Sequence, residues 1–379
     1  MAPTSSDTLQ SARQRVLTSD FFALCYLMLC NLAYAGENDG QKAIQQIIER
    51  LPNMPAPAGT LPGKWSLGWG PQVTRDNSNL IYAAEFLDAG TTLPVFSAIT
   101  LRGTDTQAKP SGILKQLLED LSAENQVIFP DGNTRGAKIA QGTKIGLTTL
   151  NGLTDSTHRT VQQYLNDLLN SNPATPVVLT GHSLGGCLTT VMALELSSKL
   201  PKGTNFVPNS FAAPTAGNLA FINLYEQSFP FSPCWFNNID LVPMAFANLA
   251  GTKQLWNQCQ RPAPLLFKLL VDGFDLLLKA CSAHYSQESP ANSRTLVGAC
   301  QAAAADAVPA ATRDEAVAEI QALLQSAAAR LHIAVPGIAL QGIADWVREL
   351  LFQHLIPTGY WDSVKNSPGV APIPNPFQE

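Results

Sequence analysis

Charge is scarce in this sequence. Only 14% of its 379 residues are charged, against about 25% in an average domain, and the net charge is −5 at pH 7. No run of Lys and Arg offsets this balance. Nucleic-acid binding and strong attraction to anionic membranes both need a basic surface. We therefore predict that the protein binds no nucleic acid and is not strongly attracted to anionic membranes.

Metal-ligand patterns are absent as well. The seven cysteines contain no C-x-x-C pair, so we predict no metal site and no cofactor. Cys25, Cys30 and Cys187 lie in apolar stretches of helical character, where buried free thiols are common. Disulfides among the other cysteines remain open, because spacing does not decide pairing. These others are Cys234, Cys259, Cys281 and Cys300.

The apolar run at residues 21–35 is too short to cross a bilayer, and Asn31 interrupts it. Its end, Ala33-Tyr34-Ala35, resembles a signal-peptidase site, but Asp20 and a polar stretch precede the run. We therefore predict a buried helix of the mature protein here and no transmembrane segment. A cytoplasmic location and export by a non-classical route both remain open.

Strand and helix patterns alternate along the first part of the chain. Residues 79–87 and 93–101 predict a β-hairpin. The later patterns are a helix marked by residues 161–169, a strand at 177–179, a helix at 184–200, a strand at 205–212, a helix at 217–227 and a strand at 234–239. This alternation predicts an α/β fold with a mostly parallel sheet flanked by helices. We also predict a helix at 111–122 and an irregular surface segment at 131–154.

The pattern changes after Pro243. Residues 263–353 hold several helical patterns and almost no strand signal. We therefore divide the chain into a core at residues 1–244, a helical insertion at 245–350, and a C-terminal segment at 351–379 that returns to the core. The end of that segment, residues 366–379, is rich in proline and is expected to pack little.

One motif carries chemistry. Gly181-His182-Ser183-Leu184-Gly185 fits G-x-S-x-G and stands between an apolar strand and a long helix. A sharp turn there exposes the serine hydroxyl, and the glycines remove side chains that would clash. The N–H of Leu184, at the start of the helix, points toward the place where an oxyanion would form. The motif predicts an α/β-hydrolase with Ser183 as its nucleophile.

Two further positions complete this hypothesis. Residues 100–104 close a strand well upstream of the serine, where α/β-hydrolases place a second oxyanion donor, and Thr104 could supply it. Asp240 follows a predicted strand within an apolar stretch. Burying an unpaired carboxylate there would be costly, whereas a hydrogen bond to a histidine would offset the cost. We therefore predict that Asp240 is the acid that orients the catalytic histidine.

These segments resemble the class 3 (fungal-type) lipases. The matching stretches are residues 32–35, 98–104, 181–186, 211–218 and 237–243, in the order of that family. The resemblance implies Ser183 as nucleophile, Asp240 as acid, and Thr104 with Leu184 as oxyanion hole. It also implies fatty-acyl esters as substrates, either glycerides or phospholipids. Leu101 stands where an aromatic residue is usual, and Ala213 where glycine is common.

The catalytic histidine has to be identified among five histidines. The candidates are His158, His182, His284, His332 and His354. His158 precedes the serine, the side chain of His182 should point away from it, and His332 lies among helical residues. The family places its histidine near the C-terminus with aromatic residues after it, which favours His354 over His284. The family usually presents this residue from a loop, whereas here a helix runs up to it.

The predicted function is ester hydrolysis through an acyl-enzyme, with a lipid or small ester as substrate. The same residues could serve a phospholipase A1, an acyltransferase or a thioesterase, or stand in an inactive fold that only binds. The insertion lies between Asp240 and His354, where a cap over the site would sit. Its helix at residues 265–279 is largely apolar. That helix could be a lid in transient contact with a lipid interface, or the centre of a helical subdomain.

Overall fold

The strands place the predicted site at one edge of a sheet. The computed structural model describes residues 5–36, 39–57, 62–90, 92–103, 123–129, 136–300, 310–330 and 342–376. Its strands are β1 (Gly63–Val73), β2 (Leu80–Asp88), β3 (Pro94–Arg102), β4 (Gln126–Ile128), β5 (Lys138–Ala140), β6 (Val177–His182), β7 (Phe206–Phe211), β8 (Cys234–Asn237) and β9 (Ser293–Leu296). The main sheet has the order β1-β2-β3-β6-β7-β8-β9, and β4 pairs separately with β5.

The sheet is antiparallel at one side and parallel across the rest. Strands β1, β2 and β3 form antiparallel pairs, as the predicted hairpin requires. From β3 to β9 every neighbouring pair is parallel. The carboxyl ends of the parallel strands therefore meet at one edge, where α/β proteins bind their ligands. The predicted mostly parallel sheet flanked by helices is confirmed.

The helices cover both faces of this sheet. They are α1 (Ser5–Thr18), α2 (Ala23–Leu32), α3 (Gly40–Arg50), α4 (Gln141–Asn151), α5 (Val161–Ser171), α6 (Leu184–Lys199), α7 (Leu219–Ser228), α8 (Leu249–Thr252), α9 (Leu265–Ala280), α10 (Ala310–Arg330), α11 (Ile343–His354) and α12 (Trp361–Lys365). Val178 packs with α2 in one buried cluster, whereas Val177 and Leu179 pack with α6 in another. Strand β6 is apolar on both sides because both sides are covered.

Helix α2 is part of the core. It contacts β3 and β6, and among its residues only Asn31 is not buried. No single helix in the described ranges is long and apolar enough to cross a membrane. Taken together, Thr8–Thr18 and Ala23–Leu32 are long and apolar enough for such a span, but the two helices meet at an angle of 76°.

Residues 138–151 correct one prediction. An irregular surface segment was expected at 131–154, but β5 and α4 occupy most of its described part. Helix α4 buries Thr143, Leu147 and Leu150, which lie at i, i+4 and i+7. Its many Gly and Thr residues hide this stripe, because they are weak helix formers. Residues 131–135 and the predicted helix at 111–122 lie outside the described residues.

The segment predicted to be a helical insertion also contributes a strand. Strand β9 pairs in parallel with β8, with Ser293 opposite Cys234 and Leu296 opposite Asn237. The expectation of almost no strand in this block is therefore wrong at residues 293–296. The strand is only four residues long and mostly polar, so it lacks the apolar run that identifies a buried strand. The division into three parts stays a prediction.

Helices α9, α10 and α11 pack together around a second apolar cluster. Leu266, Phe267 and Leu270 of α9 meet Trp346 and Val347 of α11 there. The predicted helices of this block are confirmed by α9, α10 and α11, although Leu331 and His332 lie outside the described residues.

Disulfide pairing and the C-terminus complete the fold. Cys259 and Cys300 form a disulfide, while Cys234 and Cys281 are free. Cys25, Cys30 and Cys187 are buried free thiols, as predicted. The expectation that residues 366–379 pack little is wrong at Ala371 and Ile373, which are both buried.

Two residues of α9 should differ sharply in their contribution to stability. Phe274 is 7% exposed with its ring 5.8 Å from that of Phe246, whereas Leu276 is 66% exposed. We expect Phe274→Ala to lower the free energy of unfolding by about 3–5 kcal/mol, because it leaves a cavity in the second cluster. Leu276→Ala should change it by less than about 0.5 kcal/mol. Urea unfolding of both variants checks this, and equal losses would contradict the packing of α9.

Candidate active site

Ser183 lies in a strained turn between β6 and α6. Its φ of 58° and ψ of −130° are unusual for a residue with a side chain. A Cβ at Gly181 would collide with the carbonyl of Gly185, and a Cβ at Gly185 would collide with the carbonyl of Leu101. The two glycines therefore let the chain pass closely enough for Ser183 to stand at the edge of the sheet.

Ser183, His354 and Asp240 form one hydrogen-bonded chain. Nε2 of His354 is 2.9 Å from Oγ of Ser183, and its Nδ1 is 2.9 Å from Oδ2 of Asp240. His354 and Asp240 are fully buried, and Ser183 is 4% exposed. The structure thus brings together three of the predicted residues from positions far apart in the chain. His284 is exposed instead, and its main chain is bonded to the side chain of Gln126.

Asp240 receives further hydrogen bonds that compensate its burial. The N–H of Val242 donates to Oδ1 at 3.0 Å, and the hydroxyl of Tyr360 donates to Oδ2 at 2.7 Å. Burial and the negative charge of Asp240 raise the pKa of Tyr360, so this hydroxyl keeps its proton and remains a donor. Charge-assisted bonds of this kind offset the cost of taking a carboxylate out of water.

Sequence reasoning missed Tyr360 as a site residue. The π-helical turn Ile356–Tyr360 brings its hydroxyl back to Asp240. The N–H of Asn237, at the end of β8, also donates to that hydroxyl at 3.2 Å. The only signal in the sequence was an aromatic residue shortly after His354.

Helix α11 ends at His354. The chain leaves the helix there, three residues before Pro357, which would kink a continuing helix. The side chain of Gln353 accepts a hydrogen bond from Asn237 at 2.6 Å and donates to Glu349 and to the carbonyl of Ala299. These bonds fix the end of α11 beside the strand that leads to Asp240.

The predicted oxyanion hole lies where the end of β3 meets the start of α6. Leu184 begins α6, and a Cβ at Gly103 would collide with the side chain of Leu184, so the end of β3 passes close to the turn. Arg102 is buried and donates to the carbonyls of Ala33 and Asn77 at 3.2 and 3.0 Å, which holds that end of β3 in place. Thr104 lies outside the described residues.

Within the described parts of the chain, no group of three or more His, Cys, Asp or Glu residues is arranged to hold a metal ion. The polar groups around Ser183 are instead paired with one another, as the distances above show.

Comparison with known proteins supports the same family as the sequence. The family model described as lipase (class 3) matches residues 98–249, a segment that contains Ser183 and Asp240. The resemblance to the class 3 lipases is confirmed. The matched segment ends before His354, and the match supports a lipolytic hydrolase. A comparison with the curated proteins finds no match.

Similarity to solved structures was also found, and with M37 lipase it extends to the fold. M37 lipase is 21% identical with a TM-score of 0.60, over 82% of this chain and 98% of that one. Lipase II from Rhizopus niveus is 15% identical with a TM-score of 0.42, over 59% of this chain and 74% of that one. At 21% identity the similarity to M37 lipase concerns the fold alone. The mostly parallel sheet flanked by helices is consistent with an α/β-hydrolase fold.

The half-buried side chain of Glu288 lies outside this site. Glu288 borders a cavity of about 60 Å³ that is also lined by Cys234 and Phe236 of β8. Its Oε2 is buried without a hydrogen-bond partner among the described residues. Burial and the neighbouring carboxylate of Glu226 raise the pKa of Glu288 to about 8. The group is therefore mostly protonated at neutral pH.

This raised pKa makes a prediction about stability. Because the pKa of Glu288 lies above its ordinary value of 4.5, the native state loses stability as the pH rises from 4.5 through 8. Glu288→Gln keeps the neutral shape, so we expect it to match the parent near pH 4.5 and to melt at a higher temperature above pH 8. Thermal unfolding across this range checks it, with the exposed Glu49→Gln as control. A constant offset at all pH values would contradict the ionisation of Glu288.

Proposed function

We propose that this protein is a serine ester hydrolase that acts on fatty-acyl esters through an acyl-enzyme. The observation that carries the proposal is the hydrogen-bonded chain from Ser183 through His354 to Asp240, set at a strained turn between a buried strand and a helix. A serine hydroxyl is a weak nucleophile unless a base takes its proton, and a base needs a third group to orient it. All three groups are present at hydrogen-bond distance.

The first half of the reaction forms an ester on Ser183. Asp240 accepts the hydrogen bond of Nδ1–H of His354, which leaves Nε2 free to accept the proton of Ser183 at 2.9 Å. The serine oxygen attacks the ester carbonyl, and Asp240 stabilises the imidazolium that forms. His354 then gives the proton to the departing alcohol.

The negative charge on the former carbonyl oxygen needs its own donors. Leu184 is the first residue of α6, and the first N–H groups of a helix have no partner inside it. We assign its N–H to this oxyanion, together with Thr104, which is assigned from the sequence and the family resemblance. Water, activated by His354, then cleaves the acyl-enzyme and restores Ser183.

Three single substitutions test the assignment. Removing the nucleophile or the base of such a triad costs about a millionfold in turnover, because its members act as a unit. We expect Ser183→Ala and His354→Ala to lose activity to this extent on p-nitrophenyl esters of several chain lengths. The exposed His284→Ala should stay near the parent.

Labelling separates chemistry from folding. Ser183→Ala should also fail to react with an organophosphonate while keeping the parent's melting temperature. Persistent labelling of that variant would move the nucleophile elsewhere, and loss of activity in His284→Ala alone would replace His354 as the base.

Two exposed leucines of α9 suit contact with a lipid interface. It buries Leu266, Phe267 and Phe274 against the second cluster, but Leu265 is 39% exposed and Leu276 is 66% exposed. We assign transient contact with the lipid interface to this outer edge. The subdomain interpretation of α9 fits its inner face, and the lid interpretation fits its outer edge.

The edge can be tested without disturbing the core. We expect the double variant Leu265→Ser with Leu276→Ser to lose activity on emulsified long-chain esters and to keep it on soluble short-chain esters. Both side chains are exposed, so the melting temperature should not fall much. Val297→Ser, at a position 83% exposed, is the matched control. Equal losses on both substrates would contradict an interfacial role.

A further inference from the structure

His182 is the one residue of the serine motif that has no part in the tight turn or in the proposed reaction. It is the last residue of β6 and is 1% exposed. The ring stands edge-on to those of Tyr34 and Tyr360, with centroids 6.1 and 5.6 Å away, and 4.8 Å from that of His354.

This ring is bonded to the main chain of His354. Its Nε2 lies 2.9 Å from the carbonyl oxygen of His354. A carbonyl only accepts, so Nε2 of His182 must carry a hydrogen and donate it. The last carbonyls of a helix have no partner within the helix, and His354 is the last residue of α11. His182 therefore binds the end of the helix that carries the proposed base.

The ring is suited to remain neutral during the reaction. Burial, and next the neighbouring His354, lower the pKa of His182. Its Nδ1 is buried and has no hydrogen-bond partner among the residues that the structure describes, so nothing there stabilises a second proton. A cationic His182 would repel the imidazolium that forms on His354, 4.8 Å away.

We propose that His182 is a positioning residue that sets the distance between the nucleophile and its base. Ser183 and His182 are consecutive in the chain, so the nucleophile and the group that holds the main chain of His354 share one short stretch of backbone. The hydroxyl of Tyr34 fixes that stretch by donating to the carbonyl of His182 at 3.1 Å. This inference rests on the proposed function, because it assigns His182 a role only through His354.

Three variants of His182 separate the effects of the hydrogen-bond donor, the aromatic ring and the length of the side chain. Phe keeps a ring among Tyr34, Tyr360 and His354 but has no donor. Gln places an amide nitrogen as many bonds from Cα as Nε2 of histidine, and Asn places it one bond closer. A displacement of about 1 Å can cost on the order of a hundredfold in rate. We therefore expect His182→Phe and His182→Asn to lose about ten- to a hundredfold in kcat with little change in KM, and His182→Gln to recover most of that loss.

The bond between His354 and Asp240 supplies a second readout. In the parent, the Nδ1–H proton of His354 should give a downfield NMR resonance. That resonance should broaden or shift in His182→Phe and return in His182→Gln. A role in stability alone would lower the melting temperature and leave kcat and the resonance of the folded protein unchanged.

The outcomes are distinct. The inference is overturned if His182→Phe keeps the parent's kcat, or if Gln is no better than Asn. The comparison of Gln with Asn decides the matter even if the Phe variant does not fold. Ser183→Ala, measured alongside, reports on the proposed function separately. Activity retained in Ser183→Ala would refute the function itself, whereas an inactive Ser183→Ala beside a fully active His182→Phe would refute only the role of His182.

Discussion

The main chains of three segments meet at the turn around Ser183, and no side chain fits between them. The end of β3 passes against Gly185, and the start of α6 passes against Gly181. A positive φ at a residue such as Ser183 costs about 1–3 kcal/mol and persists only where the surrounding structure enforces it. Here β6 is held in parallel register by β3 and β7 on its two sides. The position of the serine hydroxyl, and of everything that must reach it, depends on this close approach.

The second constraint is the burial of Asp240. A fully buried carboxylate is tolerated only when hydrogen bonds replace its water. Its donors are the N–H of Val242, the hydroxyl of Tyr360 and Nδ1 of His354. The last two come from the C-terminal segment, more than a hundred residues away in the chain. The hydrogen bonds that compensate the buried charge of Asp240 thus connect the C-terminal segment to the end of β8. They also hold the imidazole of His354 next to Ser183.

Local patterns explain which parts could be predicted from the sequence. Some patterns reveal their structure within a few residues: the apolar stripe of α5, the apolar run of β6 and the glycines of the serine motif. The α/β core and the turn at Ser183 could therefore be predicted from the sequence. Strand β9 was not, because it is a strand only through its pairing with β8. Tyr360 and the pairing of Cys259 with Cys300 depend likewise on distant neighbours. The meeting of Asp240 with His354 needed the family resemblance to be expected at all.

The segments next to the disulfide also help to hold the end of α11. Arg261 pairs with the buried Glu349 of α11, and Ala299 accepts a hydrogen bond from Gln353. Cys259 and Cys300, which form the disulfide, lie two residues before Arg261 and directly after Ala299. The disulfide therefore joins two segments that each contact the helix ending in His354. Because the proposed base, His354, is the last residue of α11, its direction depends on the position of the whole helix. The contacts of Arg261 and Ala299 hold that helix in place.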